Sequence, residues 1–117
     1  MEMIVVKSKI KEVVKDVNVS GDFTAELNEA AVALVEKASK RAESNNRKTI
    51  QGKDVFIGKT NSKVMLIVKS KVKDIVSGMN ISGDFASHLN EVLIDMIKQA
   101  EKRAQANNRK TISARDL

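Results

Sequence analysis

The stretch NRKTIQGKDV at 46–55 returns as NRKTISARDL at 108–117, a shift of 62 residues. Asn, Arg, Lys, Thr and Ile hold the same places in both copies, and an Asp follows each Arg seven residues on. The shared NNRKTI (45–50 and 107–112) holds no Cys, His or acid, so a catalytic centre is not expected there. Its Arg-Lys-Thr run suits phosphate oxygens, which take charge-assisted hydrogen bonds from cations and hydroxyls. Asn tolerates the left-handed backbone that ends helices, so Asn46 and Asn108 are expected to stop a helix on their N-terminal side.

The repeat extends outward in both directions. VKSKIKEVVKDVNVSGDFTAELNE at 6–29 lies on VKSKVKDIVSGMNISGDFASHLNE at 68–91, and ASKRAESNNRKTIQGKDV at 38–55 on AEKRAQANNRKTISARDL at 100–117. About half of the aligned residues are identical. Stacked solenoids usually need three or more repeats, so two copies point to a pseudo-symmetric pair. The units are 1–57 and 64–117, and together they form one compact domain. Between them GKTNSK (58–63) reads as a polar, flexible joint. So short a joint keeps the halves at high effective concentration.

Composition narrows the class. The chain has 117 residues, no Pro, Trp, Tyr or Cys, and only three Phe, so Val, Ile, Leu, Met and Ala must build the core. With 31% charged residues this suits a small helical protein. Without Cys there is no disulfide framework and no thiolate metal site. No apolar run approaches the roughly 18–20 residues needed to span a bilayer, and the N-terminus lacks the order of a signal peptide. A net charge of +6 favours an anionic partner.

Periodicity places a short helix, a loop and a long helix in each half. Ile10, Val13, Val14 and Val17 share one helical face over 8–17, as Val72, Ile75, Val76 and Met79 do over 70–79. Ser8 and Ser70 are the expected N-caps. The preceding MIVV and MLIV are rich in β-branched residues and read as short extended segments. After NVSGD (18–22) and NISGD (80–84), long helices are expected over 22–44 and 84–106. Their apolar stripes include Phe23, Leu27, Val35 and Ala42, and Phe85, Leu89, Ile97 and Ala104. A short third helix, opening at Gln51 or Ser113, would follow each RKTI loop.

This order of elements, with NRKTIQGKDV and NRKTISARDL as its most specific part, resembles the histone fold. The likeness is closest to the small tail-less histones of archaea and their bacterial relatives, and it covers nearly the whole chain twice. It implies an all-α architecture in which two histone folds clasp within one chain as a handshake pseudodimer. It also implies that Arg47 pairs with Asp54, and Arg109 with Asp116, as structural ion pairs. The first loop of each half would lie beside the Arg-Lys-Thr loop of the other. The third helices are shorter than the family's, which argues against extended stacking.

The partner implied is double-stranded DNA, held by its phosphates in a nucleoid in the cytoplasm. Lys48, Thr49, Lys110 and Thr111 would make one set of contacts. Lys7, Ser8 and Lys9, with Lys69, Ser70 and Lys71, would make another at the starts of the first helices. Cations at a helix N-terminus are mildly unfavourable unless an anion is expected there. Lys9 and Lys71 occupy positions where the resembling histones carry a DNA-contacting cation. Such contacts position a duplex without reading its bases, so binding should follow how easily DNA bends.

Blander readings compete. One Lys-Thr pair in a loop reads equally as solvated surface; the doubling and the Arg…Asp spacing favour phosphate contact. Lys40-Arg41 and Lys102-Arg103 read as structural cations near helix C-termini. His88, where the first half has Glu26, is not a metal site, and no cofactor or enzyme motif is present. The rival function is a histone-fold assembly module that binds protein and not DNA. A pair of chains exchanging halves is a second stoichiometry, beside the monomeric pseudodimer.

Overall fold

The computed structural model describes residues 3–14, 17–55, 58, 60, 64–76 and 78–117. The end of the first unit at 56–57 and most of the expected joint, 59 and 61–63, lie outside the described residues. The described chain is mostly helical. In order, α1 spans Lys7–Val13, β1 Asn18–Val19, α2 Gly21–Ser44 and β2 Thr49–Ile50, and a 3-10 turn covers Gly52–Asp54. The second half repeats this with α3 at Lys69–Lys73, β3 at Asn80–Ile81, α4 at Phe85–Ala106 and β4 at Thr111–Ile112. A 3-10 turn at Ala114–Asp116 completes it.

The long helices follow the sequence pattern closely. Phe23, Leu27, Ala31, Val35, Ala38 and Ala42 are fully buried, as are Phe85, Leu89, Leu93, Ile97, Ala100 and Ala104. Each large side chain so buried contributes roughly 1.5–3 kcal/mol. Ala30 and Leu34, expected on the stripe, are only half-buried, while the polar Asn28 and Asn90 are buried within it. The helices α2 and α4 pack against one another. The Ser20 hydroxyl caps α2 by accepting from Phe23 N–H at 3.3 Å.

The first helices differ from expectation. They are shorter, and each starts one residue earlier, so Ser8 and Ser70 sit inside the first turn; the N-caps are Val6 and Val68, without a side-chain bond. The cause is the segment before each helix. Val5 and Ile67 form an antiparallel bridge, in which Val6 N–H donates to Leu66 C=O at 2.7 Å and Val68 N–H to Ile4 C=O at 2.8 Å. The extended MIVV and MLIV segments thus pair with each other, which fixes where the backbone turns helical. Val14 then leaves the helix in an extended conformation.

Two buried asparagines hold this ribbon to the long helices. Asn28 Oδ1 accepts from Ile4 N–H at 2.8 Å and Val5 N–H at 3.3 Å. Asn90 Oδ1 accepts from Leu66 N–H at 2.8 Å, and its Nδ2 donates to Val64 C=O at 2.7 Å. An orphaned buried amide costs free energy comparable to a lost hydrogen bond. Asn90→Ala is therefore expected to destabilise the fold by about 1–2 kcal/mol, read as a lowered urea midpoint.

The strands join the halves crosswise. Parallel pairs set Asn18 opposite Thr111 and Val19 opposite Ile112, and Thr49 opposite Asn80 and Ile50 opposite Ile81. In addition, α2 packs on the 3-10 turn at 114–116 and α4 on the turn at 52–54.

Candidate functional site

Each Arg-Lys-Thr loop begins at a helix stop built by Asn. Asn46 and Asn108 both have φ 57°. Arg47 N–H donates to Ala42 C=O at 2.9 Å and Asn46 N–H to Glu43 C=O at 3.0 Å, and Arg109 and Asn108 repeat this with Ala104 and Gln105. This double bond pattern satisfies carbonyls that a helix end leaves open. The chain then runs straight into the cross-half ladder. Asn80 N–H donates to Lys48 C=O at 2.8 Å and Ser82 N–H to Ile50 C=O at 2.9 Å; at the other loop Asn18 N–H reaches Lys110 C=O at 2.7 Å and Ser20 N–H Ile112 C=O at 3.0 Å. With their backbones committed, Lys48, Lys110 and Thr111 stand exposed and Thr49 is half-buried.

The arginines of the loops turn the other way, toward the 3-10 turns. Arg47 donates to both oxygens of Asp54, at 2.9 and 2.6 Å, and Arg109 to both of Asp116, at 2.9 and 2.5 Å. Each Asp also accepts from the backbone N–H that opens its own turn, Gln51 or Ser113, at 2.8 Å. The Arg47 hydrogen bonds hold the buried Asp54 carboxyl below its usual range against the opposing effect of burial. At the second site the Arg109 bonds hold Asp116 down at about 2.

Sequence reading overlooked part of this. Arg41 donates to Asp54 C=O and Arg103 to Asp116 C=O at 2.6 Å, so they tie the long helices to the turns as well as neutralising helix ends. Their signal was an Arg thirteen residues before the Asp in both halves. Asp22 and Asp84 were read as caps. Asp84 Oδ1 accepts from Gly52 N–H of the other half at 3.1 Å, and Asp22 Oδ1 from Ala114 N–H at 3.4 Å. The Ser82 hydroxyl and then the Gly52 amide keep the Asp84 carboxyl below its usual range. His88 lies across the half-to-half boundary, with Nδ1 2.9 Å from Asp84 C=O. No group of three metal-ligating side chains occurs among the described residues.

The other predicted set meets at the ribbon. Its bridge carries Lys7, Ser8 and Lys9 together with Lys69, Ser70 and Lys71 at the ends of two adjacent segments, all six exposed. Lys9 makes an exposed ion pair with Glu12 at 3.2 Å, an interaction worth little in water.

In overall structure the chain is similar to the histone from Methanopyrus kandleri, with a TM-score of 0.63 over 96% of this chain and 89% of that one, at 14% sequence identity. This is a histone fold. No protein-family model matches the sequence, and no curated protein matches it. A histone fold can persist at such low identity because its helices need apolar positions at helical spacing, which many sequences supply. In this histone fold the exposed cations of the loops and first helices are carried on backbone that is paired between the halves. No helix among the described residues is long and apolar enough to cross a membrane.

Proposed function

We propose that this chain binds double-stranded DNA through its phosphate backbone, without sequence preference, and bends it. The unit that does so is an intramolecular pair of histone folds, 1–57 and 64–117, joined by 58–63. The observation that carries this reading is the doubling, on a histone fold, of one exposed cationic loop. Lys48-Thr49 is beside Asn80 of the other half, and Lys110-Thr111 is beside Asn18. Lys7, Ser8, Lys9, Lys69, Ser70 and Lys71 add a third cationic region. A structural likeness that runs over both halves at once, and over most of one histone chain, supports the tandem reading.

Contacts of this kind position a duplex without reading its bases, and preference then follows the energy of deforming the DNA. Anchoring one duplex at several points favours its bending over a convex surface. The role is architectural and non-catalytic, and its setting is the nucleoid. The longest dimension, 48 Å, corresponds to about 14 base pairs at roughly 3.4 Å each.

Lys48→Ala with Lys110→Ala tests the reading. Binding should weaken on every duplex sequence, and the slope of log affinity against log salt should fall by about 1.8, about 0.9 for each phosphate released. Affinity at low salt unchanged from the parent sinks the assignment. One stable protein partner with no duplex binding would instead support an assembly module. Sedimentation separates the monomeric pseudodimer from two chains that exchange halves.

A further inference from the structure

A cleft opens beside the C-terminal end of each long helix, away from the lysines and threonines of the DNA reading. One, of about 340 Å³, is lined by Arg41, Asn45, Arg47, Lys53 and Asp54. The other, of about 650 Å³, is lined by Arg103, Asn107, Arg109, Arg115 and Asp116. The two sets correspond position by position across the repeat, and the only change of residue type, Lys53 to Arg115, keeps the charge. Each cleft therefore gathers three cations about one acid.

That acid is already committed. Both oxygens of Asp54 are taken by Arg47, and one also by Gln51 N–H; Asp116 is held likewise by Arg109 and Ser113 N–H. Arg41 and Arg103 bond only a neutral carbonyl, and no salt bridge among the described residues joins Lys53 or Arg115 to an acid. A helix C-terminus carries about half a negative charge. Set against three cations and one acid, it leaves about 1.5 positive charges in each cleft. Helix-dipole compensation alone thus does not account for the cluster. Guanidinium groups present several N–H donors in a planar fork that matches phosphate oxygens, and arginine clusters recognise phosphate in this way.

We propose that each cleft is a binding site for a phosphate group. Such a group could belong to a DNA strand or be free in solution, and both sources offer the same oxyanion. The proposal does not rest on the DNA reading, because the free anion tests it without any duplex.

The experiment uses Lys53→Ala with Arg115→Ala, two exposed side chains that take no part in the ties to the turns. Lys37→Ala with Lys98→Ala, exposed lysines on the long helices, serves as a control with the same change of charge. Thermal unfolding is compared in inorganic phosphate and in chloride at equal ionic strength. Phosphate should stabilise the parent and the control, and its apparent affinity should fall at least tenfold in Lys53→Ala/Arg115→Ala. The salt slope of duplex binding identifies the source. A fall of about 1.8 in that variant beyond the control means that strand phosphates occupy both clefts. An unchanged slope with lost phosphate stabilisation means a free anion. Loss of neither, or phosphate stabilisation that persists undiminished in the variant, overturns the proposal. A parent that binds no duplex defeats the DNA reading and leaves the phosphate arm standing.

Discussion

Asp116→Ala is expected to destabilise the fold by about 3 kcal/mol. The side chain of Asp116 is 2% exposed, and that of its partner Arg109 is 24% exposed. Removing one member of a buried ion pair costs about 3–5 kcal/mol, because the other is left without its counter-charge. Arg109 keeps some access to water, which places the effect at the low end. The loss includes the bond to Ser113 N–H, so the 3-10 turn that packs on α2 should loosen as well. Chemical denaturation measures the cost, and a cycle with Arg109→Ala isolates the pair's share. Equal destabilisation by Asp116→Ala with and without Arg109 would show that the pair carries none of it.

The same carboxylate sets an acid limit. Its folded-state value lies near 2, below the roughly 3.9 of an unfolded Asp. A group depressed on folding stabilises the protein fully above the unfolded value and loses that contribution as pH falls through the folded one. Asp54 and Asp84 are shifted in the same direction. Stability should therefore fall between about pH 4 and pH 2, and Asp116→Ala should flatten part of that decline. A variant profile parallel to the parent's across this window would rule out the linkage.

Gly52→Ala is expected to cost about 2–3 kcal/mol. A Cβ at this position would meet His88 Nδ1 at 2.3 Å, Cγ at 2.6 Å and Cε1 at 2.7 Å. Ring rotation leaves Cγ in place, so relief requires the whole side chain to swing away from Asp84 C=O, or the backbone to give up Gly52 N–H to Asp84 Oδ1. Overpacking of this kind costs about 1–3 kcal/mol, with the lost hydrogen bonds in addition. Adding His88→Ala should restore most of the stability. No rescue would mean that the strain lies elsewhere. The mirror change, Ala114→Gly, should cost no more than about 1 kcal/mol, because Glu26 stands where the first half meets the histidine of the second. The two halves are thus close copies that are not interchangeable at this contact.

Residues whose partners lie close along the chain were the easiest to read. Arg47 and Asp54 are seven apart, Asn46 ends its own helix, and the apolar stripe of α2 is a property of a single helix. Asn28 looked like an interruption of that stripe, yet it is buried because the 3–6 segment, 24 residues earlier, needs an acceptor there. Arg41 was assigned to the helix dipole, an effect that requires no partner; its actual partner is a carbonyl on the turn beyond the loop. Ser8 and Ser70 carried a cap signal that the ribbon overrode by fixing the backbone at Val6 and Val68.

The 62-residue repeat, the helical period of its apolar residues, the asparagine stops and the Arg…Asp spacing are local patterns, and one chain read in order is enough to find them. The pairing of 3–6 with 64–68, the cross-half ladders and the fit of His88 over Gly52 join residues far apart in sequence. So do the two clefts that collect cations from helix, loop and turn. Such contacts arise only when the buried faces of α2 and α4 bring distant backbone together, and no local period encodes which groups will then need a partner.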